Sequence, residues 1–277
     1  VALLLEVLAD RFPESSRTTL RQMLKNGRVR VNGEVEKDAK RDIGNDDVVD
    51  VGQKSAHRNL PAGIAVLFED DHVIVIYKAN GILTVATERE RDTTVQAYLN
   101  TYLKARTEER IHVVHRLDRE TSGVLVFAKH LAAREGLKVQ FAAHSTDRVY
   151  VAIIEGDLAP PAGTLRSHLL ERRDLRMVSV KPRPDAKLAI THYQTVEAKN
   201  GYSMLDVTLE TGRKNQIRVH LSEAGHPILG DSFYGSTVNP INRLALHAKL
   251  LGFTHPMTGE RLTFTAPIPT AFRELFK

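Results

Sequence analysis

No cysteine occurs among the 277 residues, which excludes disulfides and thiolate metal sites. No apolar run approaches membrane-spanning length, so no membrane partner is expected. The first residues do not read as a secretory signal, and a cytoplasmic location is the expectation. A Gly-rich phosphate loop and a dinucleotide fingerprint are both missing, so no nucleotide cofactor is expected. The twelve histidines form no His-Glu-x-x-His and no cluster with zinc spacing. No metal is expected either. Asn200-Gly201-Tyr202-Ser203-Met204 is not a nucleophile elbow, which leaves serine-hydrolase chemistry little support. No internal repeat or low-complexity tract is visible. What remains is a chain with 42% hydrophobic residues, enough for a real core. Its length suits one large domain, or a large and a small one. Lys and Arg exceed Asp and Glu by 39 to 34, a net charge of +5. That balance permits an anionic partner such as nucleic acid without requiring one.

Residues 1–52 read as a small unit of their own. Leu3, Leu4, Leu5, Val7 and Leu8 predict a first helix. Ser15 or Ser16 can cap a second one from Arg17 to Asn26, stopped by Gly27. Arg17, Arg21 and Lys25 recur every four residues and share one face, beside an apolar stripe of Leu20, Met23 and Leu24. Arg28 and Arg30 carry the positive surface into Val29-Arg30-Val31, and Asn32-Gly33 is a strong hairpin signal. A basic helix is usually a solvated face. This one, with the hairpin that follows, resembles the small RNA-binding fold named after ribosomal protein S-four. The resemblance makes Arg17, Arg21, Lys25, Arg28 and Arg30 phosphate contacts, which position RNA without reading its sequence. Residues 53–62 are polar, carry Pro61 and lack periodicity, so the linker is placed there.

From residue 63 to 277 the pattern changes to short strands with a few helices. Ala65–Phe68 and Val73–Tyr77 flank a charged turn and predict a hairpin, and Lys78-Ala79-Asn80-Gly81 predicts another turn. Helices are expected over Thr93–Arg106 and Leu131–Ala143. Strands are expected over Val149–Glu155, Ala189–Val196, Met204–Leu209 and Leu262–Thr265. Strands mostly adjacent in sequence imply an α+β domain, with helices packed on a largely antiparallel sheet.

The stretch around which the chain is organised is Val113-Val114-His115-Arg116-Leu117-Asp118-Arg119-Glu120-Thr121-Ser122-Gly123, followed by the apolar Val124–Ala128. Val124–Ala128 reads as a strand buried on both faces, with Gly123 allowing a tight turn before it. A carboxylate between two arginines is favoured in its charged form and could serve as a nucleophile. Residue types alone favour a plain loop with solvated ion pairs. Two further stretches follow in order. In one, Tyr150 stands at the start of an apolar strand, where a tyrosine is ordinarily a half-buried core residue. In the other, Thr211-Gly212-Arg213-Lys214-Asn215-Gln216-Ile217-Arg218-Val219-His220-Leu221 opens a helix.

His-Arg-Leu-Asp-x-x-Thr-Ser-Gly before an apolar strand resembles the signature of the RluA family of pseudouridine synthases. The later Tyr150 and Gly-Arg-x-x-Gln-Ile-Arg stretches fall in that family's order, and the likeness runs from about Ile64 to the end. It implies a catalytic domain of the pseudouridine synthase type, a mixed, largely antiparallel sheet, beside a small N-terminal α/β RNA-binding domain. It also implies isomerisation of uridines in structured RNA, rRNA or tRNA, without a cofactor and by a monomer. In that family the aspartate of the first motif is the nucleophile, which falls on Asp118. The arginine two positions earlier, Arg116, would fill the gap left by the extruded base. Tyr150 would stack on that base and move a proton from its carbon 5. Arg218 would pair with Asp118, and Ile217 would line the base pocket. The family often has His where this chain has Asn215, a departure that bears on contacts around the site. Two other readings stand beside this one. A non-catalytic RNA-binding or ribosome-assembly factor would be a decayed synthase, yet Asp118, Tyr150 and Arg218 are all intact. A hydrolase using Asp118 with Glu120 would lack opposed carboxylates.

Overall fold

The computed structural model describes residues 2–13, 15–25, 29–44, 47–51, 60–104 and 110–277. The chain divides into two compact units, Val1–Arg58 and Asn59–Lys277.

In the first unit a short strand β1 (Ala2–Leu3) leads into α1 (Leu4–Arg11), and α2 (Arg17–Lys25) follows. Ser16 caps α2, its hydroxyl accepting from the Thr19 N–H at 3.2 Å. Asn26, Gly27 and Arg28, expected to close the helix and extend its charge, lie outside the described residues. Strands β2 (Val29–Val31) and β3 (Glu34–Val35) form a hairpin across Asn32-Gly33. Both turn residues have positive φ, 54° and 86°, as a two-residue turn between twisted strands demands. Strand β4 (Asp42–Ile43) pairs with β1, and β5 (Val49–Val51) pairs with β2. Leu4, Leu8, Leu20, Met23, Leu24, Val29, Val31 and Ile43 fill the core between helices and strands. Burying the apolar stripe of α2 leaves Arg17, Arg21 and Lys25 exposed on another face, with Arg30 exposed on β2.

The second unit begins with the hairpin β6 (Ile64–Glu69) and β7 (Val73–Lys78), then α3 (Val95–Lys104) and a short β8 (His112–Val113). The expected extension of α3 to Arg106 runs into residues outside the described ones. Next come β9 (Ser122–Ala128), α4 (Leu131–Ala142) and β10 (Asp147–Glu155). Strands β11 (Ala162–Glu171), β12 (Met177–Val180), β13 (Lys187–Lys199) and β14 (Tyr202–Leu209) precede α5 (Gln216–Glu223), and β11 lies between β12 and β13 in the sheet. The chain closes with β15 (Leu246–Thr254), β16 (Arg261–Thr265) and α6 (Thr270–Glu274). Eleven strands make one mixed sheet in the order β12-β11-β13-β14-β10-β15-β9-β7-β6, with β16 beside β15 and β8 beside β9. The pairing is antiparallel except between β9 and β15, which run parallel.

Strand β9 is buried at all seven positions. Leu125 and Phe127 enter one core with Ile74, Ile76 and Leu99 of β7 and α3. Val124, Val126 and Ala128 enter another with Leu137 of α4 and Phe253 of β15. The continuous apolar run is therefore read on both faces. Gly123 does not make the tight turn expected of it. It lies inside β9 at φ 127°, pressed against β15, where a Cβ would sit 2.1 Å from the Ala248 carbonyl oxygen. The glycine is required by the close crossing of two backbones.

Candidate active site

The loop before β9 is fastened from beneath on both sides of Asp118. Thr84, 1% exposed, uses one hydroxyl twice, donating to the Leu117 carbonyl at 2.7 Å and accepting from the Leu117 N–H at 3.2 Å. Lys78 is fully buried at the end of β7, and its ammonium donates to the carbonyls of Ala79, Ile82 and Arg119 at 2.8–3.0 Å. Burial pushes the Lys78 amine down to about 7, with Glu120 and Asp118 opposing that shift. Three carbonyl acceptors match the three N–H bonds of its charged form. The residues flanking Asp118 are thus fixed by hydrogen bonds that do not involve its carboxylate. Its neighbours in sequence are not its partners: Arg119 turns away to Glu90, and Arg116 is exposed.

Asp118 opens onto a cavity of about 680 Å³. Arg116 and Asp118 of the loop, Tyr150 of β10, and Ile217 and Arg218 of α5 all line it. Three stretches remote in sequence therefore meet at one place. Asp118 is partly exposed, its side chain 24% accessible, while Arg218 is 15% accessible and Ile217 is buried. The residues expected to hold RNA in the first unit belong to a different body; Arg17, Arg21, Lys25 and Arg30 are exposed there, and Arg28 lies outside the described residues.

Arg218 reaches Asp118 with Nη1 at 3.8 Å from Oδ2, too long for a hydrogen bond. Its fork is engaged elsewhere. Nε and Nη2 donate to the two oxygens of Asp231, both at 2.7 Å, and Asp231 is 2% exposed. Burial works against the Arg218 charge, but the Asp231 carboxylate outweighs it and holds the guanidinium above the ordinary arginine range. The Tyr234 ring lies 4.9 Å from the guanidinium carbon. Asp231 is absent from the residues expected on sequence grounds, although Gly230-Asp231-Ser232-Phe233-Tyr234-Gly235 has the look of a tight capped turn. Asp231→Asn keeps the shape and the acceptor for Tyr234 N–H but removes the charge that fixes the fork. We expect a lower Tm, since hydrogen bonds to charged groups contribute about 1.5–3 kcal/mol. Turnover should fall by up to about 10²-fold from a misplaced guanidinium, with RNA affinity retained. Thermal melts and single-turnover rates on one preparation check both.

Helix α5 is fixed at its start by Gln216, whose amide uses all its bonding capacity. Its oxygen accepts from Thr211 Oγ1 and the Arg213 N–H, and its nitrogen donates to the Ile190 carbonyl and Thr191 Oγ1. Asn215 precedes it at φ 52°, a left-handed conformation that Asn and His both tolerate better than most residues. Its Nδ2 donates to the Tyr234 hydroxyl at 3.1 Å, and its Oδ1 faces Arg218 Nη1 at 3.5 Å. The asparagine thus fits the bend and joins the Arg218 surroundings.

Tyr150 is half-buried, and burial first, then the Asp118 charge, pushes its hydroxyl up to about 12 against the pull of Arg148. Arg148 donates to the Leu209 and Glu210 carbonyls and lies over the Phe141 ring at 5.6 Å. His115 stacks on Phe141 at 4.6 Å and accepts from the Val126 N–H. Burial, reinforced by Arg148, lowers its imidazole to about 3, so His115 is a neutral wall. Among the described residues no group of three or more His, Asp or Glu is placed to hold a metal. No helix among them is long and apolar enough to cross a membrane.

Known proteins share both units. The family model for RNA pseudouridylate synthase matches residues 72–223, and the S4 domain matches residues 4–49. An uncharacterised RNA pseudouridine synthase of Bacillus subtilis, YhcT, is 37% identical, covering 82% of this chain and 76% of its own. The chain belongs to the RNA pseudouridine synthase family. As a member it is an isomerase that converts uridine in RNA to pseudouridine, with an S4 domain at its N-terminal side. The ribosomal large subunit pseudouridine synthase D of Xanthomonas campestris is 34% identical over 97% of this chain and 86% of its own. The solved human RNA pseudouridylate synthase domain containing 4 superposes with a TM-score of 0.64 at 26% identity, covering 76% of this chain and 91% of that one. The mixed eleven-stranded sheet is thus the pseudouridine synthase fold.

Proposed function

We propose that this synthase acts on uridines of large-subunit ribosomal RNA, with Asp118 as the nucleophile. The observation that carries the reading is the Asp118 carboxylate in a cavity shared with Tyr150, Ile217 and Arg218, the last held in place by Asp231. The ribosomal substrate is supported by relatives whose names specify the large subunit; tRNA is the second reading. A stacked uridine offers no access to its glycosidic bond, so the base must be extruded, at a cost of roughly a few kcal/mol. Arg116, exposed at the cavity, fills the vacated stack with its planar guanidinium. Uracil enters between Tyr150 and Ile217. Three routes are open to Asp118: it attacks the anomeric carbon and is displaced when carbon 5 rejoins, it removes a sugar proton and returns it by way of a glycal, or it adds to the base ring and later leaves. In each, uracil detaches, turns and rejoins through carbon 5. Tyr150 then takes part in moving the carbon 5 proton. Every atom of the product comes from the substrate, so the isomerisation balances without an added reactant. Arg218 orients Asp118 through its charge rather than through a hydrogen bond. The protein works as a monomer in the cytoplasm, with residues 1–52 as an RNA-docking domain; the linker expected over 53–62 falls mostly outside the described residues. Mapping pseudouridines in cellular RNA with and without this protein tests the substrate. Loss confined to tRNA sites would overturn the ribosomal assignment.

The docking role yields a prediction of its own. Replacing Arg17, Arg21, Lys25, Arg28 and Arg30 by neutral residues should weaken RNA binding. It should flatten the salt dependence by a log–log slope of roughly 0.7–0.9 for each phosphate that is no longer neutralised. Activity should persist at high enzyme concentration, since Asp118, Tyr150 and Arg218 are untouched. Affinity measured at several salt concentrations decides it, and an unchanged slope would make these residues an idle basic surface.

A further inference from the structure

Outside the cavity, one aromatic side chain packs against two neighbours and is still half-exposed. Phe233, 48% exposed, stands in the short 3-10 turn Ser232–Tyr234 that begins where Asp231 grips Arg218. The Arg176 guanidinium lies 5.6 Å from its ring centre and 5.3 Å from that of Tyr234. Tyr234 meets Phe233 edge-on, with centroids 5.0 Å apart at 81°. Scattered exposed apolar residues are ordinary on a protein surface. This one is packed on two sides, and one residue separates it from the cavity: Tyr234 accepts from Asn215, which lines the cavity wall.

A second exposed apolar residue stands next in sequence to Arg176, whose guanidinium meets the Phe233 ring. The hairpin between β11 and β12 turns through Arg172-Arg173-Asp174-Leu175-Arg176. Leu175 is 65% exposed and sits at φ 64°, a left-handed conformation that L side chains other than glycine adopt at a cost. Its carbonyl accepts from Lys214, another cavity-lining residue, at 3.2 Å. Two acidic groups are present, and both are engaged: Glu171 pairs with Lys214, and Asp174 accepts from the Arg176 N–H. Arg172 and Arg173 are exposed on the same turn as Leu175, whose N–H donates to the Arg172 carbonyl.

We propose that Phe233 and Leu175 form a stacking subsite for a nucleobase of the RNA next to the extruded uridine, with Arg172 and Arg173 holding the adjoining phosphates. The inference rests on the reading of the cavity as the uridine site and extends the contact surface beyond it. An aromatic face framed by arginines matches single-stranded RNA, whose unstacked bases seek π-surfaces while its backbone seeks cations. A helix-forming or acidic peptide would use the charges but has no need of an exposed aromatic ring. Every base has such a face, so the subsite adds affinity and register more than sequence choice.

The test uses the full chain and total RNA from cells lacking it, so that its natural sites are unmodified. Half-saturation and saturated single-turnover rate are measured for wild type, Phe233→Ala, Phe233→Trp and Leu175→Gly, alongside Tm. Phe233→Ala should raise half-saturation by about 5- to 150-fold, the range for removal of one base–aromatic stack. Its saturated rate should hold, and Phe233→Trp should restore binding. Leu175→Gly should also raise half-saturation while its Tm stays level or rises, because glycine relieves the left-handed backbone. A purely structural role cannot give weaker binding with undiminished Tm. Unchanged half-saturation in Phe233→Ala overturns the proposal. So does a lowered saturated rate that Trp fails to rescue, which would make Phe233 packing for the Asp231–Arg218 pair. If wild type itself forms no pseudouridine in this RNA, the cavity reading fails instead; affinity of the four proteins for the same RNA, read by filter binding, then decides the subsite alone.

Discussion

Asp118→Asn is expected to abolish pseudouridine formation, by on the order of 10⁴–10⁶-fold, while RNA affinity stays nearly unchanged. The amide keeps the size and planarity of the carboxylate but gives up its charge and its nucleophilicity. The loop should not move, because its fastening does not use the Asp118 side chain. Thr84 holds the Leu117 backbone, and Lys78 holds the Arg119 carbonyl. Arg218 should stay in place as well, since Asp231 takes its two short hydrogen bonds. Folding and binding therefore separate from chemistry in this variant. Single-turnover assays with enzyme in excess, on protein purified away from host synthases, provide the measurement. Clear product formation by the variant would remove Asp118 from the nucleophile's role.

Much of the fold is legible in the sequence because its signals are local. The apolar run Val124–Ala128 announces a strand buried on both faces, and Asn32-Gly33 announces a hairpin. Arg17, Arg21 and Lys25 show their exposed face through spacing alone. Strands β11 and β12 give no such signal: β12 is only four residues long at the sheet edge, and β11 beside it is largely exposed or half-exposed and rich in polar residues. Gly123 misleads for a different reason. Its need for glycine comes from Ala248, far along the chain, and no local pattern reports a parallel crossing. The same holds for the partners of the charged loop. Proximity in sequence suggests that Arg116 and Arg119 flank Asp118, whereas the fold turns Arg119 to Glu90 and brings Arg218 from α5. Asp231 stays hidden because its purpose emerges only once Arg218 is seen to need a partner. Lys78 reads as the opening of a turn; that it is buried and feeds three carbonyls depends on the loop folded above it.

Tyr150→Phe should bind RNA as wild type does and isomerise it about 10²–10⁴-fold more slowly. Phenylalanine retains the ring that faces the cavity, so stacking on an extruded uracil survives. Only the hydroxyl is removed, and with it the proton transfer at carbon 5. The environment of that hydroxyl also sets a pH signature. Burial and the nearby Asp118 charge raise Tyr150 to about 12, outweighing Arg148, so the phenol keeps its proton throughout the neutral range. Where its ionised form takes the proton, the population of that form grows about tenfold with each pH unit until pH approaches the phenol's own value. Under conditions in which chemistry limits, the wild-type rate should therefore rise between about pH 7 and 9, by up to about tenfold per unit. The Phe variant should show no such rise, because the group that titrates is absent. Wild-type turnover in the variant would reduce Tyr150 to a packing residue. A rise that persists in the variant would place the titrating base elsewhere in the cavity and leave the tyrosine only its stacking face.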